Sequence, residues 1–263
     1  MVDILLTNDD GYRSAGFLPL LKQLSKEFSV AAVTPSKERS WIGKCITVDK
    51  DVSVKKVKVG GFTVHAVDGT PADCVQIGLY NILKRPPKLV VSGINLGVNA
   101  GHARILSSGT LGACMEAAIE GVPALATSIH MTLKEKKGLD FFNPRTYPFF
   151  ESPARITLKL VKKLHGVEFG KDFDLISVNM DIRATVDTDV EVTRPFKAPY
   201  GQMFFPTKNG RFKHVCPQIE FKDMQTGTDL KALHEGKISV TPIGLDLLPR
   251  GSTKDLEDAL RIW

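Results

Sequence analysis

Two adjacent carboxylates, Asp9 and Asp10, follow directly on the short apolar run Ile4 to Thr7, within Asn8-Asp9-Asp10-Gly11. Side by side at the end of a buried segment they repel each other, and a cation relieves that repulsion. Their hard oxygens suit Mg²⁺, Mn²⁺ or Ca²⁺. Asn, Asp and Gly are also good turn formers, so the same residues admit a purely structural reading. Position favours chemistry, because open α/β sheets bind ligands outside the carboxyl ends of their strands.

Other polar loops fall at such ends. In Ser92-Gly93-Ile94-Asn95-Leu96-Gly97-Val98-Asn99-Ala100-Gly101, asparagine oxygens suit a hard metal without adding charge, and glycines allow close backbone approach. The plainer alternative is a loop and nothing more. Ser108-Gly109-Thr110 precedes an Ala-rich helical stretch, so its hydroxyls and free backbone amides make a phosphate cradle or, in the plainer reading, a helix N-cap. Ser40, after Pro35-Ser36-Lys37-Glu38-Arg39, carries no signal of its own. The histidines lack metal spacing, and among them His102, beside the glycine-rich loop, is nearest the proposed site.

Other nucleotide and phosphatase signatures are missing. There is no GxxxxGKS/T, no strand-linked GxGxxG and no GxSxG elbow. Asn8-Asp9-Asp10-Gly11-Tyr12 does not meet the DxDxT/V pattern of aspartyl-phosphate phosphatases, which argues against a covalent aspartyl-phosphate.

The elements that must position these residues read as a doubly wound α/β sheet. Ile4 to Thr7 is a buried parallel strand, Phe17, Leu20, Leu21, Leu24 and Phe28 share one helix face, and Val30 to Thr34 is a second strand. Cys45 to Val67 reads as a β excursion of hairpins and Pro71 to Leu83 as a helix. Strands follow at Leu89 to Val91, Ala124 to Ser128 and Asp174 to Asn179, with helices at Leu111 to Glu120 and Ala154 to Leu164. The core is expected over residues 1–185. Residues 186–263 are expected to form a β-rich oligomerisation extension, with a hairpin at Asn209-Gly210, a strand at Ile238 to Val240 and a last helix over Leu256 to Trp263. This arm is expected to exchange between subunits.

With 263 residues, 43% of them hydrophobic and 24% charged, the chain buries a full core without disulfide or metal staples. Cys45, Cys74, Cys114 and Cys216 lie too far apart for a zinc or redox pair and read as reduced core thiols. A basic leader is missing, as is any apolar stretch of about 18 residues, so a cytoplasmic address without membrane contact is expected. The formal charge of +6 comes from lysines scattered among acids, a solvated surface that favours small anions modestly and requires no nucleic acid. A nonenzymatic nucleotide-binding module is the rival class, and it has no use for paired aspartates.

Thr7-Asn8-Asp9-Asp10-Gly11, Arg39-Ser40, Gly69-Thr70-Pro71-Ala72-Asp73-Cys74-Val75, Ser92-Gly93-Ile94-Asn95-x-Gly97-x-Asn99-x-Gly101 and Ser108-Gly109-Thr110-x-Gly112-Ala113 occur in that order. Together they resemble the SurE family of survival-protein 5′-nucleotidases, strongly over residues 3 to about 130 and more weakly from Ile238 to Pro242. The resemblance implies a Rossmann-like three-layer sandwich with a mostly parallel sheet, plus a C-terminal β extension used in a homodimer or homotetramer. It implies one divalent cation per subunit, Mg²⁺ or Mn²⁺, held by Asp9, Asp10, Ser40 and Asn95. Asn8, Asn99, Ser108, Gly109 and Thr110 are then expected at the phosphate, with Asp9, Asn8, Asn99, Ser108 and Thr110 as the catalytic group. The implied reaction is hydrolysis of nucleoside monophosphates to nucleoside and phosphate. The sequence departs from the family pattern at Trp41 and Lys44, in a segment that is usually small and often carries His, and at Ser107, which replaces a frequent Tyr. These departures bear on the base pocket and leave the metal site intact.

Overall fold

The structure, a computed structural model, describes residues 2–164, 167, 169–197, 199–216, 224–246 and 254–261. At the centre of the sheet, β1 (Ile4–Thr7) is buried along its whole length, so its sequence is a continuous apolar run and not an alternation. Parallel strands flank it: β2 (Val30–Pro35) and β4 (Phe62–Val67) on one side, β5 (Leu89–Asn95), β6 (Ala124–His130) and β7 (Leu175–Asp181) on the other. At one edge β3 (Val54–Val59) pairs antiparallel with β4. At the other, β11 (Ile238–Ile243) lies antiparallel to β7, with β8 (Val190–Val192) parallel to β11 outside it. The order of this nine-stranded sheet is β3-β4-β2-β1-β5-β6-β7-β11-β8. A separate antiparallel pair, β9 (Phe204–Pro206) and β10 (Phe212–His214), turns through Asn209 and Gly210 at φ 69° and 68°, the hairpin expected there.

Alternation along β1 feeds a core on each face. Ile4 and Leu6 enter one cluster with Phe17, Leu20 and Leu24 of α1 (Phe17–Leu24) and Ile156, Leu160 and Val161 of α6 (Glu151–Leu164). Leu5 enters the other, with Cys74 and Val75 of α2 (Pro71–Ile77) and Leu111, Cys114 and Ala117 of α4 (Gly109–Ile119). Helices on both faces of a mostly parallel sheet make the expected α/β three-layer arrangement. The described residues also include the helices α3 (His102–Ser107), α5 (Leu133–Lys136), α7 (Asp229–His234) and α8 (Lys254–Leu260).

Several sequence expectations are corrected. β5 runs on through Ser92 to Asn95, expected as loop, because Ser92 pairs with Thr7 of β1 and Asn95 with Ser128 of β6. Ile46-Thr47-Val48 is not a strand; Thr47 donates its N–H to the Asp73 carboxylate at 3.0 Å instead. The helix expected to Leu83 becomes α2 followed by a π-helical turn, Gly78–Ile82. The sheet does not stop at the boundary drawn near residue 185, since β8 and β11 extend it. Cys74 and Cys114 are buried thiols as expected, but Cys45 and Cys216 are exposed. The last helix ends at Leu260, and residues 262 and 263 of the expected span lie outside the described residues.

From β1 the chain winds outward to β2 and β4, then returns to the opposite side of β1 to lay down β5, β6 and β7. The reversal falls between β1 and β5, and such a switch point opens a crevice at the carboxyl ends of the two strands.

Leu125 of β6 is wholly buried in the first cluster. Leu125→Ala is expected to cost about 3 kcal/mol, measured as a lower urea midpoint at unchanged slope. A wild-type midpoint would contradict the packing described.

Candidate active site

Loops at the carboxyl ends of the strands enclose a pocket of about 970 Å³, whose wall includes Asp9, Asp10, Ser40, Asn95, Asn99 and Ser108. The turn after β1 is shaped by Asn8, whose amide oxygen accepts the Gly11 N–H at 3.1 Å and whose NH₂ donates to the Gly11 carbonyl at 3.0 Å. Thr34 of β2 donates its hydroxyl to the same oxygen. Gly11 itself sits at φ 84°, a conformation that favours glycine. Asn8 therefore supports the turn from behind the pocket wall.

That turn presents two carboxylates that are nearly out of solvent, Asp9 at 3% and Asp10 at 6% exposure. Thr110 donates its hydroxyl to Asp9 Oδ1 at 2.8 Å, and the Leu96 N–H donates to Asp10 Oδ2 at 3.1 Å. Neither carboxylate is in an ion pair among the described residues. Burial raises the Asp9 pKa to about 6, against the Thr110 hydrogen bond. Burial, and then the charge of Asp9, push Asp10 well above the ordinary carboxylate range.

The donor set fits a hard divalent cation. Asn95 donates its NH₂ to the Gly97 carbonyl at 2.6 Å, which leaves its amide oxygen for a metal. Ser40 donates its hydroxyl to Glu38 Oε1 at 2.7 Å and keeps its lone pairs. No group of three or more His, Cys, Asp or Glu able to hold a metal occurs among the described residues. A cation here would need the neutral oxygens of Ser40 and Asn95 beside the two aspartates, an all-oxygen set that suits Mg²⁺ or Mn²⁺.

Beside the carboxylates lies the N-terminus of α4. Ser108 caps it by accepting the Leu111 N–H at 3.1 Å, so its own hydroxyl proton remains to be donated into the pocket. Gly109 lets the helix come close: a Cβ there would lie 2.8 Å from the Arg39 carbonyl and 2.9 Å from Asp9 Cβ. Asn99 donates its NH₂ to Ser128 of β6 at 3.0 Å and to Thr110 at 3.3 Å, and its backbone N–H to Asn179 of β7 at 2.8 Å. These bonds engage its NH₂ and not its amide oxygen, and Asn99 lines the pocket. A polar chain thus runs from Asn179 through Asn99 and Thr110 to Asp9, joining β7, α4 and β1.

Of the residues singled out from sequence, Asp9, Asp10, Ser40, Asn95, Asn99 and Ser108 meet at one pocket, while Asn8, Gly109 and Thr110 stand behind its wall. His102 points elsewhere, with its ring Nδ1 3.1 Å from the Phe196 carbonyl. Glu38, Arg104, His130, Lys136, Phe142 and Cys216 also line the pocket and were not singled out. They come from separate segments of the chain, Arg104 from α3, His130 from the end of β6 and Lys136 from α5 among them, with no spacing to betray them. Trp41 is at the wall too, at φ 62°, with ring centroids 5.4 Å from Tyr200 and 5.6 Å from His214.

The family model described as Survival protein SurE matches residues 4–202 of this chain. A protein named 5′-nucleotidase SurE from Methanosarcina acetivorans is 34% identical over 98% of this chain and 97% of its own length. Another of the same name, from Methanocaldococcus jannaschii, is 35% identical over 93% and 92%. The crystal structure of the SurE protein from Aquifex aeolicus superposes with a TM-score of 0.80 at 31% identity, covering 98% of this chain and 99% of that one.

In metal-free protein, Asp10→Asn removes a charge that burial and Asp9 both disfavour, so thermal stability is expected to rise by on the order of 1 kcal/mol. Saturating Mn²⁺ should raise the melting temperature of the wild type by mass action and leave that of the variant unmoved. An equal rise in both would place the cation elsewhere.

Proposed function

Because the chain belongs to the SurE family, we propose that it is a 5′-nucleotidase, a divalent-metal-dependent phosphomonoesterase that releases phosphate from nucleoside monophosphates. The observation that carries this reading is a pair of buried aspartates without an ion-pair partner, facing the same pocket as a helix N-terminus. A nucleotide-binding module that did no chemistry would have no reason to bear their electrostatic cost.

Asp9, Asp10, Ser40 and Asn95 would hold one Mg²⁺ or Mn²⁺ per subunit. When bound, such an ion neutralises phosphoryl oxygens and acidifies a nearby water. The Ser108 hydroxyl binds the phosphoryl group, with the positive N-terminal end of α4 behind it. Thr110 fixes the orientation of Asp9. Asn99, with its NH₂ turned inward, offers an acceptor oxygen to a water beside the phosphate. The ring of Trp41 at the wall supplies a stacking surface that accepts any base.

Two features support a homodimer or homotetramer built through residues 186–263. Phe204, Phe205 and Phe212 of the β9–β10 hairpin are exposed, as are Val190 and Val192 on edge strand β8. Four free thiols suit a reducing cytoplasm.

Phosphate release from AMP in Mn²⁺, abolished by EDTA and restored by added metal, is the expected result. Asp9→Asn should lower kcat/KM on the order of a hundredfold, about 3 kcal/mol of transition-state stabilisation. Full activity of that variant in excess EDTA would remove the basis of the proposal. A panel of nucleoside monophosphates should be cleaved within about a hundredfold of one another, and phosphodiesters hardly at all. Cleavage confined to one base would contradict the stacking subsite.

A further inference from the structure

One buried carboxylate has no part in the chemistry above. Asp229, the first residue of α7, is wholly buried. It accepts three backbone N–H groups: Gly101 at 2.7 Å on Oδ2, and Phe196 at 3.0 Å and Leu230 at 2.8 Å on Oδ1. It is in no ion pair among the described residues. Burial raises its pKa even against those donors, so keeping the charge there costs stability. Capping its own helix does not account for it, since Gly101 and Phe196 belong to other segments.

Gly101 closes the loop 96–101, which leads out of Asn95 at the end of β5 and carries Asn99. The clasp on this loop has further points. The Phe196 carbonyl accepts the His102 N–H at 2.9 Å. Ala100 packs with Leu230 and Leu233 in a small buried cluster joined by Val98 and Phe196. Gly101 adopts φ 79°, a conformation that favours glycine. From the inner side, Asn179 and Ser128 hold Asn99. The loop is therefore pinned between β6 and β7 within and Asp229 and Phe196 without.

Resting on the nucleotidase reading, we propose that Asp229 is a positioning residue: by accepting the Gly101 and Phe196 N–H groups it sets Asn95 and Asn99 in the pocket, making the chain beyond residue 185 part of the catalytic apparatus without touching substrate.

The two oxygens have separate donors, so the isosteric amide cannot replace the carboxylate. In Asp229→Asn one side of the amide is an NH₂ that meets an N–H, whichever way it turns. A role that merely fills volume predicts full function for this variant. The test compares the wild type, Asp229→Asn, and Val161→Ala in α6, which serves as a control for stability loss away from the site. Phosphate release from AMP and the Mn²⁺ concentration for half-activation are measured for each. Asp229→Asn is expected to lose at least about tenfold in kcat and to need several-fold more Mn²⁺, while Val161→Ala keeps wild-type values despite a lower melting temperature. Amide hydrogen exchange supplies a readout independent of activity. In the wild type the Gly101 N–H should exchange as slowly as the amides of β5, and in Asp229→Asn at least about a hundredfold faster while β5 stays protected. Wild-type kcat and Mn²⁺ requirement in Asp229→Asn, or rapid exchange of Gly101 in the wild type, would overturn the proposal. If Asp229→Asn does not fold, the wild-type exchange rate decides. If the wild type releases no phosphate, the nucleotidase reading fails while the exchange result still judges the clasp.

Discussion

Two like charges held next to each other out of water are the constraint on which this structure turns. Asp9 and Asp10 stand at the end of β1, where Thr110 of α4 donates a hydroxyl and Leu96, just past β5, a backbone N–H, with no ion pair among the described residues. Their neighbours are arranged to keep them there. Asn8 and Gly11 make the turn that projects them, Gly109 lets α4 lie against Asp9, and Thr110 ties Asp9 to the chain of amides that reaches β7. The unfavourable field that results is one that a dication would relieve. Burial of these carboxylates costs stability, as is common where a site is prepared for a ligand.

Glycine determines how near the parts can come. Gly112 would place a Cβ 2.3 Å from the Gly43 carbonyl, so α4 packs directly on the backbone of the loop that carries Ser40. Next to Gly43, Lys44 reaches Glu116 of α4 at 2.7 Å, and the Glu116 side chain is almost fully buried. Lys44, a departure from the family pattern in sequence, thus anchors the Ser40 loop.

Much of this was legible in the residues. Runs such as Ile4 to Thr7 are too apolar for a half-exposed strand, which pointed to a parallel sheet with two covered faces, and the polar loops at strand ends marked the pocket. Asn8 and Thr110 illustrate the limit. Both belong to the right motifs, yet their side chains are consumed in holding others, and which member of a motif faces a ligand is decided by packing in three dimensions. Ser92 to Asn95 read as loop because polar residues and glycine dominate it, whereas its pairing partners on β1 and β6 keep it in the sheet. Asp229 was silent altogether. Its donors, Gly101 and Phe196, lie far from it along the chain, and no local pattern records such a contact.

The position of β11 bears on how the molecule is made. β11 comes from the end of the described sheet sequence yet lies inside the sheet, between β7 and β8. A chain emerging from the ribosome can assemble β1 to β7 early, but β7 then shows an open row of N–H and C=O groups until residues 238–243 arrive. β8, although synthesised sooner, has no partner to join before that moment. Closure of the sheet is thus a late, long-range event, of the kind that slows folding and leaves a strand edge open to association with other nascent chains. The same late part of the chain supplies Asp229 to Gly101, so that contact too waits on residues made after β7.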